Sequence, residues 1–338
     1  MAAKYLAKRF MADLMHLSGV LGILSSKRFK GRGVILMYHR VVLNTEEHGV
    51  PLQPGMYVLE HTFERQVRFL KERFHVVSLP EMVAILRLGK DMSGYCAITF
   101  DDGWRDNFTN AYPILKKHDM PATVFLATDY IDTDKWFWPE EVSWCVSQYH
   151  DKGMIPALAD TTRIGQLHQY GSCPIDKKFL IHTVIERLKE YSPADRDEVL
   201  RVLKASFPGR VRERLLMSWE EANSMFDSGL ISFGSHTAGH EMLDQIDKEK
   251  VHRELESSKK SLKDMLGIDS PIFAYPNGRM TDEAVSKLEE LNYTAAVTTQ
   301  RGYVLGGTSL FGIPRIGIHE DVSNTTPLFL ARLTSGVF

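Results

Sequence analysis

Apolar and polar positions change rhythm several times along the chain. The runs "GVILMYH" (33–39), "HVVSL" (75–79), "YCAITF" (95–100) and "ATVFLAT" (122–128) are apolar stretches of strand length. Between them, "HTFERQVRFLKERF" (61–74), "PEMVAILRLG" (80–89) and "NFTNAYPILKKHD" (107–119) carry apolar residues at helical spacing. Proline opens the second of these and glycine closes it, and Pro113 predicts a bend in the third. The alternation stops near 131. Residues 131–215 read as helices and loops, clearest in "DKKFLIHTVIERLKEY" and "PADRDEVLRVLKASF". It resumes with strands at 230–236, 271–276, 293–299 and 310–319, and with helices at 248–266 and 281–292. Strand and helix in turn predict an α/β chain: a distorted seven- to eight-stranded (β/α) barrel over 33–338, with a helical insertion at about 131–215. Barrel chemistry gathers at the C-terminal strand ends. Asp101, Asp102, His236 and Asn277 all stand just past predicted strand ends.

Residues 1–32 follow a different pattern. Leu6, Phe10, Leu14, Leu17, Leu21 and Leu24 recur every three or four residues, as on one face of a helix. Seven Lys and Arg residues accompany them, against Asp13 alone. Asp13 and His16 interrupt the apolar run, and no small-residue cleavage site follows. A secretory signal or a spanning helix is therefore not expected. Two readings remain: a basic amphipathic helix lying on an anionic membrane surface, or a helix packed on its own domain.

Composition adds limits. A chain of 338 residues, 43% hydrophobic and 25% charged, can bury a large core. A formal net charge of -2 gives no global basic field for nucleic acid. Cys96, Cys145 and Cys173 form no paired framework and no CxxC. They point to a reducing compartment, the cytoplasm or the inner face of a membrane.

Two segments carry chemistry. "TFDDG" places Asp101 beside Asp102, two like charges that raise each other's protonation unless a cation or a division of roles relieves them. "HTAGH" spaces His236 and His240 four apart, which on a helical turn brings both imidazoles to one side. Two histidines and a carboxylate make a common catalytic metal set. Asp102 can complete it, leaving Asp101 ionised beside the ion as a base. Taken singly, each segment has an ordinary alternative, a turn or a pair of exposed histidines.

Together they resemble the first two motifs of the metal-dependent polysaccharide deacetylases, carbohydrate esterase family four. "LMYHRV" (36–41) and "FAYPNG" (273–278) resemble the branch acting on extracellular or biofilm-type polysaccharides. The likeness covers about 33–130 and 216–320. It implies Asp101 as general base, and Asp102, His236 and His240 as ligands of a divalent metal, usually zinc. It implies an oxyanion donor in the backbone at Asn277, where many members carry tyrosine. Two departures stand out. Ala274 replaces the arginine that steadies the catalytic aspartate, a role Arg315 can take only if it reaches in from a neighbouring strand. The last motif, Leu-x-His, here has Gly317 before His319, which is either the acid for the leaving amine or a loop histidine. His39 either lines the pocket or is a core histidine. Trp104, Tyr275 and the tryptophans of "WFWPEEVSW" (136–144) either line a glycan groove or anchor structure.

The implied reaction is hydrolysis of an N-acetyl amide on an amino sugar, with a carbohydrate as partner. Two alternatives stay open: another amide hydrolase on this scaffold, acting on a cyclic amide or a lipid-linked sugar, or a sugar-binding module without catalysis.

Overall fold

Seven of the apolar runs become parallel strands: β1 Val34–Tyr38, β2 Tyr95–Phe100, β3 Ala122–Leu126, β4 Ile231–Ser235, β5 Ile272–Ala274, β6 Ala295–Arg301 and β7 Ile313–Gly317. A computed structural model describes residues 2–47, 50–170, 175–208, 213–269 and 271–334. Each strand pairs with the next in chain order, and β7 returns to β1 with Leu36 opposite Ile316. The sheet thus closes into a barrel. One buried cluster joins Ile35, Ala97, Phe125, Ala274, Val297 and Ile313, drawn from six of the strands. This two-sided burial explains why the strands read as unbroken apolar runs. On β4, Gly234 is required by close approach: a Cβ there would lie 2.6 Å from the Phe125 ring and from the Ile272 carbonyl oxygen.

The expected strand at 75–79 shrinks to His75–Val76, an eighth strand added at the start of β2. The chain turns helical at once, because Ser78 caps helix Leu79–Arg87 by accepting the Glu81 N–H. Near Pro113, where a bend is expected, the helix changes type. A π-helical turn, Asn107–Ala111, gives way to α-helix Tyr112–His118 with proline in its first turn.

The N-terminal segment forms two helices, Ala2–Leu17 and Val20–Arg28, broken at Gly19, whose φ is 76°. Ala12 and Leu21 are buried against Leu328, Leu330 and Ala331 of helix Thr326–Thr334.

Residues 44–53 and 134–215 form a second compact unit. Its core holds Val142, Val146, Leu158, Leu180, Val184 and Leu203 from four helices, Trp138–Asp151, Ile155–Thr162, Lys177–Leu188 and Pro193–Ala205. Trp138 and Trp144 pack against that core, and the Trp136 indole donates to the Glu213 carbonyl at 2.9 Å. All three rings thus anchor within the unit itself, Trp138 and Trp144 remaining partly exposed. Cys96 and Cys145 are buried, and Cys173 lies outside the described residues.

Candidate active site

Where β2 ends, the backbone reverses sharply. Asp102 and Gly103 both lie in the left-handed region, with φ of 80° and 81°. Glycine suits the second position for space as well, since a Cβ would stand 2.8 Å from Leu126 Cδ2. Asp102 carries the conformational cost of a non-glycine residue there, a kind of local strain that collects at functional sites. The turn gives the two buried aspartates different surroundings.

Asp101 meets Arg315 of β7 in a two-pronged pair, with both nitrogen–oxygen distances 2.7 Å. The arginine is fully buried. Its Nε donates to the Thr298 carbonyl at 3.0 Å and one terminal nitrogen also donates to Thr99 Oγ1 at 3.1 Å. Burial alone would push the Asp101 carboxyl up. The guanidinium, helped by His236 and His39, holds it below the ordinary aspartate range. Arg315 therefore does reach in, supplying the countercharge that Ala274 lacks.

Asp102 faces the histidines. Its Oδ1 lies 3.3 Å from Nε2 of both His236 and His240, and its Oδ2 accepts the Trp104 indole N–H at 2.8 Å. Burial pushes this carboxyl up as well, but its bonds to the two imidazoles bring it well below the ordinary range. His236 follows β4 directly, and its Nδ1 lies 2.7 Å from the Ala274 carbonyl oxygen. An Nδ1–H donated to that carbonyl sets the ring so that Nε2 faces Asp102.

The expected helical turn at 236–240 does not form. Thr237 and His240 take left-handed φ of 61° and 57°, which a right-handed helix excludes. A wound loop results. The Gly239 N–H donates to Glu254 at 2.7 Å, and the Asp129 N–H donates to the Ala238 carbonyl at 3.0 Å. The two rings still converge, with centroids 5.0 Å apart. One ligand atom from each of Asp102, His236 and His240 lies within 4.8 Å of the others. One carboxylate oxygen with two imidazole nitrogens suits a divalent cation of the zinc type.

The other expected site residues divide. His39, at the end of β1, is half-buried; burial lowers its pKa more than the nearby Asp102 and Asp101 raise it, favouring the neutral ring. Asn277 is exposed after β5, with φ 52°. His319 stands two residues past β7, its Nδ1 3.2 Å from Asp321 Oδ2. Trp104 and Tyr275, in contrast, line no groove. Trp104 is 1% exposed and its N–H is spent on Asp102. Tyr275 is fully buried and its hydroxyl donates to the Phe311 carbonyl at 3.0 Å. Neither ring has a face to offer a sugar.

Sequence reasoning missed Arg40 and Asp106. The Arg40 guanidinium lies 4.4 Å from the centroid of the Trp104 ring, and its Nε donates to Asp106 at 2.8 Å. Asp106 also accepts the Val41 N–H at 2.9 Å. This chain of contacts braces the indole that holds Asp102. The signal was present: Arg40 adjoins His39, and Asp106 follows Asp101 by five residues.

Comparison with known proteins agrees with this geometry. Residues 89–155 and 179–296, more than half of the chain, match the family model described as polysaccharide deacetylase. YxkH of Bacillus subtilis, which carries a polysaccharide deacetylase name, is 23% identical over 293 residues, 86% of this chain and 73% of that protein. The poly-beta-1,6-N-acetyl-D-glucosamine N-deacetylase of Staphylococcus aureus is 21% identical over 273 residues, 78% of this chain and 68% of that one. Among solved structures, the Streptococcus pyogenes deacetylase PplD in complex with acetate is similar in fold. It has a TM-score of 0.58 at 22% identity, covering 90% of this chain and 98% of that one. With the family model matched across both halves of the barrel, the chain belongs to the polysaccharide deacetylases, carbohydrate esterase family four, hydrolases of N-acetyl amide bonds.

Proposed function

We propose that this enzyme removes acetyl groups from N-acetylated amino sugars in a glycan, with a divalent ion, zinc foremost, held by Asp102, His236 and His240. The observation that carries this reading is the division between the adjacent aspartates. One is locked by a buried arginine, and the other faces two imidazoles. The name of the Staphylococcus aureus relative supports a poly-N-acetylglucosamine substrate. An ion bound at the trio would supply Lewis acidity toward the acetyl carbonyl and the attacking water.

The protein groups have separable tasks. Asp101 stays ionised and accepts a proton from the attacking water. The Arg315 fork occupies one lone-pair direction on each oxygen, so acceptor capacity remains. The backbone N–H of Asn277 is assigned to the developing oxyanion. His319, positioned by Asp321, delivers a proton to the departing nitrogen. The water oxygen bonds to the acetyl carbon, the carbon–nitrogen bond breaks, and acetate and a free amine leave.

The test is a screen of β-1,6-linked and chitin-type acetylated oligosaccharides beside small cyclic imides, measuring acetate and free amine. Acetate from an amino-sugar oligomer is expected. Ring opening of an imide with no acetate from any oligomer overturns the reading. A second expectation concerns the ligand support. Trp104→Phe removes the donor to Asp102 and should weaken zinc binding about 10- to 100-fold. Titration against a chelating indicator measures this, and unchanged affinity would free the indole of that role.

A further inference from the structure

The N-terminal helices carry apolar residues on two faces. One face is used inward: Ala12 and Leu21 are buried, Tyr5 and Met15 pack beside them, and the Tyr5 hydroxyl donates to Asn324 at 2.9 Å. The other points to solvent. Leu6, Phe10, Leu14 and Leu17 are 61%, 71%, 57% and 84% exposed. On a helical projection they fall in one narrow arc, roughly opposite Ala12. Val20 and Leu24 extend the exposed apolar surface beyond the Gly19 break. Large side chains gathered in such a stripe mark an interaction surface.

Charge narrows what that surface meets. In a chain of net charge -2, the first 32 residues hold seven basic residues and one acid. Lys8, Lys27 and Lys30 are exposed on this same segment. Beside the helices lies a cavity of about 560 Å³, and Gly19, between exposed Leu17 and Val20, lines it. Phe29, Phe69, Phe74 and Leu330 give it apolar walls, with Lys30 and Arg73 among them. Apolar walls beside cations match the acyl chain and headgroup of an anionic lipid. Among the described residues no helix is long and apolar enough to cross a membrane.

We propose that the helix pair docks the enzyme on an anionic phospholipid surface. Helix Ala2–Leu17 lies in the interface with Leu6, Phe10, Leu14 and Leu17 toward the acyl layer. Exposed Lys27 and Lys30, beyond that helix, meet the headgroups. This docking is independent of the substrate reading, so each can fail alone.

The test sediments the full chain with vesicles of phosphatidylcholine, and of phosphatidylcholine and phosphatidylglycerol in equal parts. Binding is expected only with phosphatidylglycerol, falling as salt is raised. The double variant Phe10→Asp, Leu14→Asp alters exposed positions, and its thermal midpoint should match the parent. Its partition onto the anionic vesicles should fall about tenfold or more. Absent binding, or binding unchanged in the variant, overturns the proposal. Analytical ultracentrifugation supplies the other adverse outcome: a dimer that the variant dissociates makes this face a self-association surface.

Discussion

Asp101→Asn is expected to lower kcat by about 10²- to 10⁴-fold while zinc remains bound. The amide is isosteric with the carboxylate but has no charge and cannot accept a proton at neutral pH. The proposed ligands Asp102, His236 and His240 are untouched, so metal content should stay at the parental level. The same change has a structural cost. One oxygen facing the Arg315 fork becomes an NH₂, setting donor against donor where both distances were 2.7 Å. Losing one partner of a buried ion pair costs about 3–5 kcal/mol. The assay therefore belongs well below the variant's thermal midpoint, with bound zinc measured on the same sample. Near-parental turnover at equal metal content would remove Asp101 as the base.

Arg315→Met should cost a similar 3–5 kcal/mol, because it leaves the Asp101 carboxylate buried without its countercharge. The guanidinium also ties together Thr99 of β2, Thr298 of β6 and Asp101 at the β2 end, so its loss loosens the geometry of the proposed base. Arg315→Lys separates charge from shape. Lysine keeps a cation but cannot form the fork, and an ammonium has no planar match to both oxygens. This variant should fold nearer to the parent, with kcat down about 10- to 100-fold and KM little changed. A purely structural arginine would instead show a lowered thermal midpoint with kcat preserved in the folded fraction.

The parts of this protein legible in its sequence share a physical reason. Strands buried on both faces are mostly apolar, so β2 is read to the residue, β1, β3, β4 and β6 to within two residues at each end, and β5 and β7 only as the middle of longer expected runs. Helix Lys248–Leu266 has a strong stripe and clear ends, with Asp247 as its cap and Gly267 after it. Asp101, Asp102, His236 and His240 were visible as chemistry because such residues are costly to bury without a purpose. Contacts set by register across strands were not legible. Whether Arg315 reaches Asp101 depends on how β7, β1 and β2 align, and a linear chain does not display that alignment. The loop at 236–240 misled because a four-residue spacing is shared by helical turns and by a loop with left-handed positions. Trp104 and Tyr275 read as sugar platforms because an aromatic near a site looks the same in sequence whether its face is open or packed. The segment 44–53 escaped notice because its partners in the second unit lie some ninety residues on or more.

The most direct measurement records zinc content and acetate release on one preparation of the full chain, with an N-acetylglucosamine oligomer as substrate. It is made as purified, after chelation, and after zinc is restored. Acetate release should vanish with the metal and return with it, at a stoichiometry near one ion per chain. A metal-free preparation that releases acetate at the full rate would contradict the assignment of Asp102, His236 and His240.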